Sequence, residues 1–218
     1  MALNKLKFNS INVTPAASEA LKFNSSANGF ETGSAGGAMT FIKKLTASSS
    51  ATLSFVDGSN NVVLDNTYKE YLFMFNNLHP ATNDKALQFN MSVDSGSNYN
   101  VTKTTTFFHA YHAEDGSEGA LEYNANMDLA QSTDFQNISQ GVASGNDMCV
   151  AGTLHLFNPS STTFVKHFIT RTVHEANSYS RDVFSAGYGN TTSAVDAVQF
   201  KFLSGNMDAG TITLYGIN

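Results

Sequence analysis

The chain has 218 residues, of which 41% are hydrophobic and only 14% are charged, and its formal net charge at pH 7 is −6. The hydrophobic share can fill a core, whereas the low charge and the 68 Ser, Thr and Asn residues argue against a coiled coil or a helical repeat. The negative net charge disfavours a nucleic-acid-binding module. The composition therefore predicts a β-rich domain with a neutral, polar surface.

Three absences narrow the class of protein further. Cys149 is the only cysteine, so no internal disulfide can hold the fold together. The N-terminal sequence MALNKLKFNSINV lacks the apolar core of a secretory signal, and no run approaches the roughly 18 apolar residues of a membrane span. We expect synthesis in a cytoplasm and no membrane insertion.

Residues 1–38 differ from the rest of the chain, because their apolar residues are scattered and they end in the Gly/Ser-rich tract ETGSAGGA. The alternation of Leu6 and Phe8 is compatible with a short strand, and Thr14 followed by Pro15 with the start of a helical turn. This segment is either a flexible tail or an extended arm that docks on a neighbouring subunit. The residues that a docking arm would use are Lys5, Leu6, Phe8, Ile11, Val13, Leu21 and Phe23.

From Phe41 onward the sequence has the features of β-strands. The predicted strand segments of the first half are 53–57, 71–78, 87–93 and 101–112, and the first two flank the turn-forming sequence DGSNN. In LQFNMSV the polar residues Gln88, Asn90 and Ser92 alternate with apolar residues, so we expect them to point outward.

The second half repeats this pattern. Its predicted strand segments are 148–157, 163–170, 198–202 and 211–217, separated by Gly-, Asn- and Ser-rich turns. Only residues 119–135 have a composition that could form a short helix. About eight to ten strands at this spacing predict an all-β fold, an antiparallel β-sandwich or jelly roll over residues 39–218, with residues 1–38 as an extended N-terminal arm.

The histidines and the cysteine do not form a recognisable catalytic or metal-binding motif. His109 and His112 are three residues apart, and on a strand this spacing points their side chains to opposite faces, where they cannot share a metal ion. Cys149 lies within a predicted apolar strand, where we expect it to pack as a small hydrophobic residue. We therefore expect no enzyme activity, no cofactor and no metal.

The charge is distributed unevenly. Residues 104–165 contain seven acidic residues and no Lys or Arg, so this segment carries −7 and the rest of the chain +1. Two of its carboxylates at the right separation would permit glycoside hydrolysis, but a sequence cannot fix that separation. A solvated acidic patch, a basic partner or calcium binding are the other interpretations.

Four tyrosines lie near loops or strand ends, where an aromatic ring can stack on a sugar. These glycan-stacking candidates are Tyr111, Tyr123, Tyr179 and Tyr188. The alternative is that each ring packs against the protein with its hydroxyl in water. The chain has no Trp, which weakens the case for a sugar site.

Several runs of residues resemble a family of small structural proteins in the virions of tailed phages, in particular those of marine and cyanobacterial phages. These runs are FIKKLTASSSATLSFVDG, DLAQSTDFQ, HLFNPSSTTFVKHF and GYGNTTSAVDAVQFKFLSGNMDAGTITLYGI. The pattern S-G-N-x-x-x-G-x-I-x-L-Y-G-I, from Ser204 to Ile217, is the most specific element. The resemblance covers residues 40–217 and carries no catalytic residue.

This resemblance implies a non-enzymatic virion structural protein that is assembled in the host cytoplasm. Its expected partners are capsid or tail subunits and further copies of the chain, with trimers common in phage appendages. A surface-displayed capsid decoration anchored by the N-terminal arm is favoured, because the chain has no coiled-coil shaft or β-helical repeat. The alternative is a tail-fibre, receptor-binding or glycan-binding module that attaches to a host-surface glycan.

Overall fold

A computed structural model describes residues 20–33 and 37–218, and over these residues the chain forms β-strands, turns and loops without a helix. The chain divides into two compact units, Met1–Ala38 and Met39–Asn218. The predicted short helix within residues 119–135 is wrong, because this segment begins with a strand and continues as turns. The all-β fold class is confirmed.

The described part of the first unit is a β-hairpin. Strands β1 (Ala20–Phe23) and β2 (Phe30–Gly33) pair in antiparallel orientation. The rings of Phe23 and Phe30 stack at a centroid distance of 4.9 Å, and Lys22 and Glu31 form an ion pair at 3.5 Å. The predicted arm therefore contains a hairpin over these residues.

Two of the predicted docking residues lie on this hairpin. Leu21 and Phe23 are on β1, with exposed fractions of 44% and 66%. The predicted strand, the predicted helical turn and the other docking residues lie outside the described residues. These other docking residues are Lys5, Leu6, Phe8, Ile11 and Val13.

The second unit contains twelve strands, which pair in antiparallel orientation in two sheets. Their bounds are β3 (Met39–Thr46), β4 (Leu53–Val56), β5 (Glu70–Pro80), β6 (Lys85–Ser92), β7 (Lys103–Ala113), β8 (Gly119–Tyr123), β9 (Gln136–Val142), β10 (Val150–Phe157), β11 (Lys166–Glu175), β12 (Tyr179–Gly189), β13 (Ala197–Phe202) and β14 (Met207–Ile217). The large sheet has the order β3-β14-β5-β10-β11-β12-β7-β8, and the small sheet has the order β4-β13-β6-β9. The strands that flank DGSNN, β4 and β5, thus lie in different sheets.

A cluster of phenylalanines fills the space between the two sheets. Phe200 of the small sheet has its ring centroid 5.3 Å from that of Phe73 and 5.2 Å from that of Phe75, both on the large sheet. Phe55 and Phe89 complete the cluster around it, and all five side chains are almost fully buried. Each such ring pair adds about 0.5–1.5 kcal/mol beyond the burial of its surface. The predicted antiparallel sandwich is confirmed, whereas the jelly-roll subtype stays a prediction.

The polar face of β6 differs from the expectation. Gln88, Asn90 and Ser92 are buried, and the prediction that they point outward to solvent is wrong. Loops cover this face of the strand, since Asn90 Nδ2 donates to the backbone oxygens of Tyr99 at 2.6 Å and Thr133 at 2.9 Å. Alternation correctly identified the strand but not what covers its polar face.

The residues from Ser204 to Ile217 form the turn after β13 and the strand β14, which pairs with β3 and β5. Gly210 lies at an irregularity in this pairing with φ of +101°, and a Cβ there would lie 2.3 Å from the Asn77 backbone oxygen. A Cβ on Gly216 would lie 2.3 Å from the ring of Tyr68. Backbone conformation and packing therefore account for Gly210 and Gly216, two of the three glycines of this pattern.

We predict that Gly210→Ala destabilises the sandwich more than Gly58→Ala. Gly58 also has a positive φ, of +71°, but a Cβ there would meet no atom within 4 Å. Gly58→Ala should therefore lower the free energy of unfolding by about 1 kcal/mol through backbone strain alone. Gly210→Ala adds to this strain a steric clash with the backbone of Asn77. We therefore expect it to lower the free energy of unfolding by about 3 kcal/mol or more. Urea unfolding measures both, and equal losses would contradict this account of Gly210.

Candidate functional site

The large sheet extends beyond the edge of the small sheet. The edge strand β9 packs on β11 and β12, so the small sheet does not cover all of the inner face of the large one. Residues 124–135 cover part of β7 instead. Thr105 donates its backbone N–H to the Leu129 oxygen at 2.9 Å and its hydroxyl to Gln136 Oε1 at 2.6 Å. A pocket lies further along β7.

We call this cavity the ledge pocket, and its volume is about 360 Å³. Strands β7, β9 and β12 contribute His109, Tyr111, Gln140, Tyr179 and Arg181. Strand β8 and its two flanks contribute Glu118, Glu122 and Asn124. Strand pairing explains this convergence, because Tyr111 is directly opposite Arg181 and His109 is directly opposite Glu122.

A network of hydrogen bonds fixes the floor of the ledge pocket. Arg181 Nη1 donates to Gln140 Oε1, and Gln140 Nε2 lies 3.1 Å from Nδ1 of the buried His109. Because a guanidinium can only donate, the Gln140 oxygen faces Arg181 and its amide nitrogen donates to the His109 ring. Burial lowers the pKa of His109, and the nearby Arg181 lowers it further. The His109 ring is therefore neutral at pH 7.

A second buried histidine lies beside Arg181. His174 on β11 is directly opposite Arg181 on β12 and only 3% exposed, and neither ring nitrogen has a hydrogen-bond partner among the described residues. Burial, followed by the charges of Arg181 and His109, lowers the pKa of His174 to about 4. Arg181 thus provides the positive charge on this floor at neutral pH.

Two tyrosine–glutamate pairs form the rim. The hydroxyl of Tyr179 donates to Glu118 Oε1 at 2.5 Å, and that of Tyr111 donates to Glu122 Oε1 at 3.4 Å. The hydrogen bond to Glu118 raises the pKa of Tyr179, and the charge of Glu122 raises that of Tyr111. The two rings are 6.0 Å apart at an interplanar angle of 71°. The rim therefore presents an aromatic corner next to two carboxylates.

The structure brings together Tyr111 and Tyr179 of the four glycan-stacking candidates and separates the other two. Tyr123 is opposite Phe108 on β7, which faces away from the pocket, and its hydroxyl donates to Asp128. Tyr188 lies near the other end of β12, with its ring 6.3 Å from that of His167. A shared site of all four tyrosines is excluded by this placement.

The remaining chemical candidates take separate positions. His109 is buried and His112 is exposed, as expected for residues three apart on a strand. Within residues 20–33 and 37–218, no three His, Cys, Asp or Glu side chains form a group that could hold a metal ion. Cys149 directly precedes β10 instead of lying inside it, which corrects the prediction, and burial raises the pKa of its thiol. Glu114 and Asp115 are exposed in the turn after β7.

Lys103 is a buried charged residue that sequence reasoning missed. Its side chain is 0% exposed, and Nζ donates to Asn90 Oδ1 at 2.6 Å and to the Val101 oxygen at 2.7 Å. Burial lowers the pKa of Lys103 to about 7, against the opposing effect of Asp134. A lysine with such a pKa can be a nucleophile, but solvent does not reach this one. Its hydrogen bonds instead join β7 to β6.

Comparison of the chain with protein-family models, with curated proteins and with solved structures finds no match. The described part of the chain also contains no helix of the length and apolar character required to cross a membrane.

We predict that Lys103 makes the sandwich more stable as the pH rises from 7 to 9. The folded-state pKa is about 7, whereas an unfolded lysine titrates near ~10.4. In this interval the unfolded chain binds the additional proton, so the free energy of unfolding increases with pH by about 2 kcal/mol from this residue. Below pH 7 both states are protonated and the contribution of Lys103 levels off.

Urea unfolding at pH 7, 8 and 9 tests this prediction with Lys103→Met and the exposed-site control Lys44→Met. Lys103→Met should lose the contribution of about 2 kcal/mol from this residue, and Lys44→Met should retain it. Parallel pH dependence in the wild type and Lys103→Met would contradict the prediction.

Proposed function

We propose that the protein is a non-enzymatic structural component of a tailed-phage virion. In this proposal the sandwich is displayed on the particle and residues 1–38 attach it to neighbouring subunits. The observation that carries the proposal is the division into a small N-terminal unit and a sandwich of residues 39–218 with its own aromatic core. A displayed domain needs such a core, because one cysteine cannot form an internal disulfide.

The hairpin of the first unit supports an attachment role. Its apolar residues Leu21, Phe23 and Phe30 are 44%, 66% and 44% exposed. Apolar side chains grouped on a small surface element are typical of a surface that a partner subunit covers. Pairing of β1 with β2 also provides a defined shape for such a contact.

The residue runs that resemble phage virion proteins also agree with a structural role. They supply parts of β3, β9, β10, β11 and β12 and the whole of β4, β13 and β14. Packing and backbone geometry account for the glycines at 210 and 216 within the most specific run. We favour a capsid decoration, present as a homo-oligomer, over a tail fibre.

Deletion of residues 1–38 should separate folding from attachment. We expect residues 39–218 to fold cooperatively, because the phenylalanine cluster lies entirely within them. The truncated protein should be absent from purified particles, while the full chain is incorporated. Circular dichroism checks folding, and quantitative mass spectrometry of particles checks incorporation. Normal incorporation of the folded, truncated protein would rule out attachment through this segment.

A second candidate function is attachment to the host surface, as in a receptor-binding or tail-fibre module. The observation that favours it is the meeting of Tyr111 and Tyr179 at the rim of the ledge pocket. Fluorescently labelled full-length protein should then adsorb to host cells, with binding that saturates and is displaced by unlabelled protein. Adsorption that stays linear with concentration would count against this function.

A further inference from the structure

We propose that the ledge pocket binds a neutral sugar ring, which stacks on the Tyr111–Tyr179 corner and hydrogen-bonds to Glu118, Glu122, Asn124 and Arg181. This inference rests on the attachment function proposed above and gives it a ligand class. Three properties of the pocket carry it: its aromatic walls, its mixture of donors and acceptors, and its charge.

The aromatic walls suit the carbon face of a pyranose. The rings of Tyr111 and Tyr179 are 6.0 Å apart and inclined at 71°, so they form two sides of a corner. The short hydrogen bond to Glu118 holds the Tyr179 ring in place before a ligand arrives, and the Tyr111 ring stacks on that of His109 at a centroid distance of 5.7 Å. Preorganised aromatic rings with a polar edge provide contact area at a small entropic cost.

The polar groups of the pocket match hydroxyls, each of which both donates and accepts a hydrogen bond. Glu118 and Glu122 each accept one tyrosine hydroxyl through Oε1 and, as carboxylates, have further acceptor capacity. Asn124 supplies an amide that both donates and accepts. A set of acceptors and donors at one small pocket fits a polyol better than a simple cation or anion.

Arg181 provides the strongest donor of the pocket. It forms no ion pair with a carboxylate among the described residues, and its guanidinium lies 5.8 Å from the Tyr179 ring centroid. Gln140 holds one end of the guanidinium, while Nε is buried without a hydrogen-bond partner. A ligand hydroxyl could accept a further hydrogen bond from the Arg181 guanidinium, which has Gln140 as its hydrogen-bond partner.

The charge of the pocket selects neutral over acidic sugars. Glu118 and Glu122 at the rim outnumber Arg181 at the floor, and both belong to the segment 104–165 with its charge of −7. His109 and His174 add no positive charge at pH 7, because burial lowers the pKa of each. A sugar carboxylate would therefore approach an excess of negative charge.

Saturation-transfer NMR and titration calorimetry of the full chain test the inference. The neutral probes are the methyl glycosides of glucose, galactose and mannose, and the acidic probes are methyl glucuronide and N-acetylneuraminic acid. We expect at least one neutral probe to bind saturably and at least tenfold more tightly than either acidic probe. Absence of saturable binding by all three neutral probes would overturn the inference.

Variants locate the binding. Tyr179→Ala and Tyr111→Ala should each weaken binding at least tenfold, which corresponds to about 1.4 kcal/mol. Tyr179→Phe retains the ring and should retain most of the affinity, so it separates loss of stacking from loss of folding. Tyr188→Ala is the matched control, because Tyr188 lies away from the pocket on the same strand, and it should bind as the wild type does. Equal affinities of Tyr179→Ala and Tyr188→Ala would also overturn the inference.

Glu122→Gln tests the charge argument. Removing one rim carboxylate should narrow the preference for the neutral probe that binds over methyl glucuronide, and an unchanged preference would contradict the charge argument. Adsorption to host cells is scored separately. Saturable adsorption without binding of any neutral glycoside would overturn the sugar inference and leave the attachment function in place. Glycoside binding without adsorption would support the sugar site and count against the attachment function.

Discussion

The structure depends on the difference in size between its two sheets, since the large sheet has eight strands and the small sheet that packs on it has four. Apolar side chains on the inner face need cover, and the small sheet provides it over the region of the phenylalanine cluster. Beyond the edge strand β9, residues 124–135 cover part of β7. The ledge pocket lies where β7, β8 and β12 meet this edge strand. Both the buried polar interior and the pocket follow from this difference in sheet size.

A loop that covers a sheet needs different partners from a strand that covers it. A loop brings unpaired backbone groups, and these are stable in the interior only when side chains bond to them. Asn90 Nδ2 donates to the Thr133 oxygen, and the Thr105 hydroxyl accepts the Leu129 N–H. Lys103 then bonds to Asn90, so a charged residue becomes part of the same interior network. Polar residues on β6 and β7 therefore stabilise the loop against the sheet.

This network also explains how far the sequence predicts the fold. Period two and β-branched residues identify the core strands, and the turns between them indicate an antiparallel sandwich. They do not distinguish a polar face in water from a polar face under a loop, which is why Gln88 and Asn90 were assigned to solvent. Strand β12, YSRDVFSAGYG, was not predicted because Ser, Gly and charged residues interrupt its alternation. Its place between β7 and β11 supplies the pairing that the sequence does not reveal.

The candidate site shows the same limit. The sequence identifies Tyr111 and Tyr179 individually as glycan-stacking candidates, but their meeting depends on the pairing of β7 with β12 across a long stretch of chain. Arg181 and Gln140 carry no local motif at all. A signal was nevertheless present in β12, because Tyr179 and Arg181 are two residues apart and must share a face once the segment is recognised as a strand.

The proposed roles can be separated by residue. Attachment is assigned to residues 1–38, whereas the residues that line the ledge pocket all belong to the unit Met39–Asn218. Gly210 and Gly216 of the Ser204–Ile217 pattern pack against β5 and Tyr68 and do not line the pocket. These residues thus build the scaffold, and the proposed sugar site depends on side chains that the scaffold presents. Because the rim side chains do not belong to the phenylalanine core, substitutions at the rim would alter the proposed site without removing core packing.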